Sequence, residues 1–230
     1  MTRDESIYTS LCVLFSVLIV MGNLIYQKFV SLPLLSFHTF ELSVGAILYP
    51  LTFLLTDLIT EFYGKEKANF CVKLGISMNI LVACIIAGMD QLEATDWSKI
   101  DNVLFHKVFG LYSIAFIGSI LACYTAQTVD IMLYVWIRKI TKGKWLWVRN
   151  NGSTAVSLFV DTFIVITFMT LFHIFPLERM WPLIMNSYFF KLFFSICSTP
   201  LFYLLVKIIK TLQQNGNMQS KILDPMTAGN

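Results

Sequence analysis

Six long apolar stretches, each about the length that crosses a lipid bilayer as a helix, constrain this chain most. They cover residues 7–27, 40–62, 68–89, 108–136, 152–175 and 183–206. A bilayer core takes about 20 apolar residues in helical form, and a helix satisfies its own backbone hydrogen bonds where lipid offers no partner. The sequence therefore predicts an all-α polytopic membrane protein. We expect a six-transmembrane-helix bundle in one domain over residues 1–210, followed by a polar, disordered tail over residues 211–230.

The composition excludes the main soluble alternatives. Only 13% of the residues are charged and 57% are hydrophobic, whereas a soluble domain carries about a quarter charged residues. A disordered, fibrous or nucleic-acid-binding chain is thereby excluded. The five cysteines stand singly without a Cys-x-x-Cys pair, so neither a zinc site nor a disulfide framework is predicted, and no cofactor is expected.

The placement of Lys and Arg predicts the orientation of the helices. Cytoplasmic loops of membrane proteins carry an excess of these residues. One set of alternate loops holds eleven of them, namely Arg3, Lys65, Lys67, Arg138, Lys139, Lys142, Lys144, Arg149, Lys207, Lys210 and Lys221. The other set holds four, namely Lys28, Lys99, Lys107 and Arg179. Both termini are therefore predicted to lie in the cytoplasm.

Polar and ionisable residues inside the apolar stretches are the candidate functional residues, because a charge at the bilayer centre costs about 2.5–3.5 kcal/mol on insertion scales. Residues three or four apart share one helical face. Asp57 and Glu61 form one such pair, and Gln127 and Asp130 form another. The set is completed by Asp161 and Lys191, each inside a later apolar stretch. Glu61 could be a charge at the membrane interface. Asp161 and Lys191 lie at similar depths, so we predict that they are near neighbours that neutralise each other, and they could form a purely structural ion pair. A polar cavity explains the whole set better.

Catalysis has little support in the sequence. The chain contains no His-Glu-x-x-His, no Gly-x-Ser-x-Gly and no P-loop, which are the motifs of metalloproteases, serine hydrolases and many ATPases. We therefore expect no enzymatic activity.

Three blocks of sequence resemble the queuosine precursor transporter family, which is also called vitamin-uptake-transporter-like. The first block runs from Tyr49 to Gly64 and includes Thr-Asp-Leu-Ile-Thr-Glu. The second is Ala-Gln-Thr-Val-Asp, ending at Asp130, and the third begins at Trp147 and leads to Asp161. Lys191 and the pair Thr199-Pro200 resemble the last helix of that family, and Asn23 matches its first helix.

The resemblance implies a bacterial inner-membrane protein that imports a 7-deazaguanine for the queuosine modification of tRNA. The candidates are 7-cyano-7-deazaguanine, 7-aminomethyl-7-deazaguanine and queuine. Such a base presents an N–H and an amino group on one edge, which a carboxylate can accept together. Tyr49, Phe53 and Tyr124 could stack on the ring. The expected substrate-binding residues are Asp57, Glu61, Gln127, Asp130, Asp161, Lys191, Asn23 and Arg149.

Two other functions stay open from the sequence. The chain could be the substrate-binding subunit of an energy-coupling-factor-like importer of a vitamin or purine, which needs separate ATPases. It could also be a membrane assembly factor that transports nothing. The preferred deazapurine, the energy source and the choice between monomer and homodimer are likewise open. The expected partners are the lipid bilayer and the small-molecule substrate. No nucleic acid is expected as a direct partner.

Overall fold

A computed structural model describes residues 2–35, 38–110 and 114–223 of the chain. Within these ranges, four helices are long and apolar enough to cross a membrane, and a bent pair counts as a fifth if it forms one span. The protein is therefore a multi-pass membrane protein built mainly of helices, as the sequence predicts. Its elements in chain order are α1 (Arg3–Leu24), β1 (Phe29–Leu35), β2 (His38–Ser43), α2 (Val44–Met89), α3 (Asn102–Phe109), α4 (Ile114–Ile140), α5 (Leu146–Leu171), α6 (Leu177–Cys197) and α7 (Thr199–Leu223).

Helix α2 changes direction at Gly64. This residue has φ 81° and ψ 177° inside an otherwise helical run of 46 residues. Such angles are nearly confined to glycine, because a Cβ atom would clash with the backbone. Gly64 therefore divides α2 into a first arm, residues 44–63, and a second arm, residues 65–89.

Contacts with α1 show that the two arms run back along each other. Near the start of α1, the Tyr8 hydroxyl donates to the carbonyl oxygen of Lys67, close to the turn. Near its end, Gly22 approaches Gly45, while Leu24 packs in a cluster with Ala83. In a straight helix, residues 45 and 83 would be about 57 Å apart. The stretches 40–62 and 68–89, which the sequence separates, thus occupy two antiparallel arms of one element.

The strands β1 and β2 form an antiparallel hairpin that the all-α prediction lacks. Phe29 pairs with Ser43 and Leu32 with Phe40. Alternate residues of a strand share one face, and on β2 Phe40 and Leu42 pack together against Phe190 of α6. A two-stranded hairpin is marginal by itself, so this contact with α6 stabilises it. Residues 40–43, predicted to begin a helix, belong to β2 instead.

The boundaries of the fourth and sixth predicted stretches and of the predicted tail also differ from the structure. Residues 108–136 divide between α3 and α4, with residues 111–113 outside the described ranges. The stretch 183–206 spans the junction of α6 and α7, which bend by 43°. Pro200 lacks the N–H needed to continue α6, whereas proline is accepted in the first turn of a new helix. The predicted tail begins within α7, which continues to Leu223; residues 224–230 lie outside the described ranges.

The two ends of the bundle, the hairpin end and the basic end, carry different elements. The hairpin end carries β1 and β2. The basic end carries the Gly64 turn and the α4–α5 connection, whose lysines and arginines are Lys65, Lys67, Arg138, Lys139, Lys142 and Lys144. Glu61 and Arg149 form an ion pair at this end.

Candidate functional site: a cavity and a column of buried polar residues

A cavity of about 170 Å³ lies toward the hairpin end of the bundle. Helices α1, α2, α4, α5 and α6 and both strands contribute to its wall. Most of the lining side chains are apolar, among them Ile19, Phe116 and Ile166, which suits a flat organic ligand. The wall also contains polar and charged side chains, namely Asn23, Tyr26, Ser43, Tyr49, Thr52, Ser119, Asp161, Thr162, Ser187 and Lys191.

Asp161 is the centre of the charged part of the cavity. Lys191 Nζ donates to Asp161 Oδ2 at 2.8 Å, and the Tyr49 hydroxyl donates to Asp161 Oδ1 at 2.6 Å. Lys191 also lies 4.7 Å from the centre of the Tyr49 ring and 3.3 Å from Thr162 Oγ1. The sequence-based pairing of Asp161 with Lys191 is confirmed. The pair joins α5 to α6, and Tyr49 attaches both to the first arm of α2.

A neutral polar pair also lines the cavity, on helices α1 and α4. Ser119 Oγ donates to Asn23 Oδ1 at 3.0 Å. This bond fixes the amide so that its NH₂ group is left to donate to another partner. The cavity therefore presents a neutral amide from α1 and α4 together with a charged group from α5 and α6.

Gln127 connects the cavity to the polar residues that lie closer to the basic end. Its Nε2 donates to Thr52 Oγ1 at 3.2 Å, and Thr52 lines the cavity. Its Oε1 accepts from Thr56 Oγ1 at 2.8 Å. Gln127 itself is fully buried. The amide thus bridges α4 to two turns of α2 and continues the polar surface toward the basic end.

Asp57 and Asp130 form the next layer, between α2 and α4. The two carboxyl groups interact directly and both side chains are fully buried. Ser157 Oγ donates to Asp130 Oδ1 at 3.2 Å, and Thr154 Oγ1 donates to Asp57 Oδ2 at 3.5 Å. Both hydroxyls come from α5. One oxygen of each carboxyl group, Asp57 Oδ1 and Asp130 Oδ2, is left without a hydrogen-bonding partner among the described residues.

The last layer, at the basic end, is a network around Glu61. Arg149 Nη2 donates to Glu61 Oε1 at 2.5 Å, and the Tyr134 hydroxyl donates to Glu61 Oε2 at 3.0 Å. Arg149 also donates to Tyr134 and to the carbonyl oxygen of Gly143. Arg138 Nη1 donates to the Glu61 carbonyl oxygen at 3.1 Å. These contacts tie α2, α4 and α5 together.

The structure separates the predicted site residues into three groups. Asn23, Asp161 and Lys191 line the cavity. The other five lie outside its lining, although the sequence suggested that four of them share one cavity: Asp57, Gln127 and Asp130 in the middle, and Glu61 and Arg149 at the basic end.

The three aromatic residues suggested for stacking also differ in their positions. Tyr49 lines the cavity. Phe53 is fully buried in an apolar cluster, and Tyr124 is 43% exposed on the outside of α4. Only Tyr49 of these three is placed to contact a ligand in the cavity.

Two sets of polar residues escaped the sequence-based reasoning. Tyr134 follows Asp130 by four residues and so shares its face of α4, a spacing that could have identified it. On α5 the buried polar residues Asn150, Thr154 and Ser157 precede the predicted Asp161 at the same helical period. Ser119 gave no such signal, since its partner Asn23 lies on another helix.

Comparisons with known proteins point to one family. Residues 43–205 match the profile of a family described as "Putative vitamin uptake transporter". A Bacillus subtilis protein named "Probable queuosine precursor transporter" is 33% identical over 168 residues, covering 73% of this chain and 72% of that protein. A Haemophilus influenzae protein of the same name is 26% identical over 163 residues, covering 70% and 65%. No solved structure matches the chain.

Proposed function

The chain belongs to the vitamin-uptake-transporter family that includes these queuosine precursor transporters, and on this premise we propose that it imports 7-deazaguanines across a bacterial inner membrane. The substrates in this proposal are 7-cyano-7-deazaguanine, 7-aminomethyl-7-deazaguanine and queuine. They would supply the queuosine modification of tRNA.

The observation that carries the proposal is the cavity whose wall combines apolar side chains with Asp161, Lys191 and Asn23. A deazaguanine is a planar ring with an N–H and an amino group on one edge and a carbonyl oxygen beside them. In the proposal, Asp161 accepts from the N–H edge in place of Tyr49, and Lys191 donates to the carbonyl oxygen. Tyr49 stacks on the ring, and Asn23 donates to the group on the opposite side.

The deeper polar layers form the remainder of the proposed path. As the bundle opens toward the cytoplasm, Gln127, Asp57 and Asp130 receive the base, and Glu61 with Arg149 forms the last contact before release. Gln127 supports this order, because its hydrogen bonds reach both the cavity wall and Thr56, next to Asp57. Asp57→Asn and Asp130→Asn are expected to abolish most uptake while membrane levels stay normal.

The proposed arrangement in the membrane has six spans over residues 1–210 and both termini in the cytoplasm. Three observations support it. The first arm and second arm of α2 run antiparallel, so each can cross the membrane once. Helices α6 and α7 together supply one bent span. The excess of Lys and Arg lies at the basic end, which is the expected cytoplasmic side.

The decisive experiment uses a bacterial host that cannot make queuosine precursors and scores queuosine in its tRNA. With this chain expressed alone, low concentrations of a supplied deazaguanine should restore the modification. Failure with every deazaguanine would contradict the proposed substrate. Restoration only when a separate ATPase module is co-expressed would favour the alternative, a substrate-binding subunit of an energy-coupling-factor-like importer.

Asn23→Ala tests the cavity in the same assay without stranding a charge. Loss of one neutral hydrogen bond costs about 0.5–1.5 kcal/mol, so uptake at limiting substrate should fall about two- to tenfold. Ser77→Ala is the matched control, because Ser77 is exposed on α2 and its hydroxyl donates to the carbonyl oxygen of Lys73 within the same helix. Equal uptake by both variants would remove Asn23 from the binding site.

A further inference from the structure

Asp57 and Asp130 are two acidic side chains that contact each other inside the bundle, outside the lining of the cavity. Both side chains have zero solvent exposure, and they lie midway along the bundle between the cavity and the basic end. Asp57 accepts a hydrogen bond from the Thr154 hydroxyl, and Asp130 accepts one from the Ser157 hydroxyl. A hydroxyl donor stabilises a carboxylate but does not neutralise it.

Among the residues that the structure describes, the other buried acidic residues inside the bundle have a basic partner, whereas this pair has none. Asp161 is neutralised by Lys191 at 2.8 Å, and Glu61 is neutralised by Arg149 at 2.5 Å. Among the described residues, no Lys, Arg or His lies within salt-bridge distance of Asp57 or Asp130. The groups nearest to the pair toward the basic end are the engaged Glu61, Tyr134 and Arg149. An ionised pair would therefore add two uncompensated negative charges to the membrane interior.

Two carboxylates in contact cannot both be ionised without water or a cation, because like charges at that distance disfavour the second ionisation. An isolated buried charge costs far more than the few kcal/mol that a hydroxyl can return. The economical resolution is a proton held on the pair, donated by one carboxyl group to the other. Asp57 Oδ1 and Asp130 Oδ2 have no other hydrogen-bonding partner among the described residues and are therefore available to such a proton.

We propose that Asp57 and Asp130 together form a proton-binding site, and that the bound proton crosses the membrane with the substrate. The presence of the proton depends only on the geometry of the pair, whereas its movement with the substrate rests on the proposed import function. The binding step adds H⁺ from water to one carboxylate to give a carboxylic acid, and release returns the same H⁺ to water on the other side.

A route between the pair and the cavity is provided by hydroxyl and amide groups. Thr52 lines the cavity, Gln127 bonds to Thr52, and Thr56 bonds to Gln127 on the turn that carries Asp57. On the other side of the pair, the Tyr134 hydroxyl and the Glu61–Arg149 contact separate it from the basic end. Polar groups thus extend from the cavity to the turn that carries Asp57, and the charged network lies on the other side of the pair.

Infrared spectroscopy of the purified full-length protein tests for the proton directly. A protonated carboxylic acid has a C=O stretching band separate from the bands of carboxylates. At neutral pH the parent should show this band, it should decrease as the pH is raised, and Asp57→Asn/Asp130→Asn should lack it. Glu66→Gln, which removes an exposed carboxylate from α2, should retain it. A parent without the band, or a double variant that keeps it, would overturn the proposal.

A second, uncharged variant covers the case in which the double variant does not fold. Ser157→Ala removes the hydroxyl that lies 3.2 Å from Asp130 Oδ1. Because hydrogen bonding changes the frequency of a carboxylic acid band, the band should shift in this variant and stay in place in Ser77→Ala. An unshifted band would place the acid elsewhere. Loss of the parent's band on replacing choline chloride with sodium chloride would identify a sodium site and overturn the proton assignment.

Transport by proteoliposomes tests the movement of the proton. With the membrane potential clamped and the interior alkaline by one pH unit, one proton per substrate supports about tenfold accumulation of 7-cyano-7-deazaguanine. Accumulation that ignores the pH gradient would overturn the coupling. Absence of any deazaguanine uptake, with the infrared band present, would contradict the proposed substrate while supporting the proton site.

Discussion

Two of the acidic residues inside the helices, Asp161 and Glu61, each have a basic partner and a tyrosine partner. Asp161 accepts from Lys191 and Tyr49, and Glu61 accepts from Arg149 and Tyr134. A buried ion pair adds little to stability relative to apolar residues, but the loss of one partner strands the other charge at a cost of about 3–5 kcal/mol. At the residue scale, partner loss should therefore be the most damaging kind of substitution in this protein.

The pair of Asp161 and Lys191 allows a direct measurement of this effect. Asp161→Asn and Lys191→Met should each lower the thermal stability of the detergent-purified protein by about 3–5 kcal/mol. The double variant should lose less than the sum of the two, because neither charge remains unpaired. Thermal unfolding followed by size-exclusion chromatography gives the comparison. Additive losses would mean that the two groups do not interact in the folded protein.

Arg149 should not be replaceable by lysine. Its guanidinium donates to Glu61, to the Tyr134 hydroxyl and to the carbonyl oxygen of Gly143, a set that a single ammonium group cannot reach together. Arg149→Lys is expected to destabilise the protein by about 1–3 kcal/mol through the partners left unsatisfied. Arg138→Lys, whose side chain is 44% exposed, should have little effect in the same unfolding assay. Equal behaviour of the two variants would contradict this role.

At the scale of the elements, Gly64 allows α2 to turn back on itself. Outside the adjacent backbone, a Cβ atom at Gly64 would meet no atom within 4 Å, so any penalty for a side chain comes from the backbone angle alone. This makes the position a clean test of the turn, free of packing effects.

Gly64→Ala should lower the stability of the protein by about 1–3 kcal/mol, because φ 81° with ψ 177° is strained for any residue with a Cβ atom. Gly88→Ala is the matched control. It lies near the end of the same element, also with no atom within 4 Å of an added Cβ, and alanine favours a helix over glycine by about 1 kcal/mol. The amount of folded protein in membranes and its melting temperature give the readout. A harmless Gly64→Ala would mean that the turn does not require this conformation.

At the scale of the whole molecule, the structure accommodates the charge asymmetry that the sequence shows. The Gly64 turn and the α4–α5 connection lie together at one end, since Glu61 contacts both Arg138 and Arg149. Between them these segments carry seven of the eleven lysines and arginines counted above, from Lys65 to Arg149. The basic end is thus formed by segments that are far apart in the chain.

This arrangement predicts the location of the C-terminus. A reporter enzyme fused after Asn230 should be active only if it is a type that works in the cytoplasm, because basic loops stay on that side. A fusion at Asp96, in the connection from α2 to α3, should give the opposite result. Activity of a periplasmic reporter at the C-terminus would reverse the orientation and the direction assigned to each layer of the polar column.

The sequence by itself determined the membrane class, the approximate apolar stretches and the ionisable residues that lie inside them. These follow from properties that act locally: apolar length, the cost of a charge in lipid, and helical spacing. The family resemblance, carried by Tyr49–Gly64 and the two later blocks, is likewise a property of the chain order and is confirmed by the comparisons.

Only the tertiary structure decided which polar residues face the cavity and which face each other. Asp57 and Asp161 look alike in sequence, yet one contacts Asp130 and the other contacts Lys191. The outcome depends on the rotation of each helix and on its displacement along its neighbours, and both are set by packing across the bundle. The hairpin escaped prediction for the same reason, because Phe40 and Leu42 acquire a partner only when Phe190 of α6 arrives from 150 residues further along the chain.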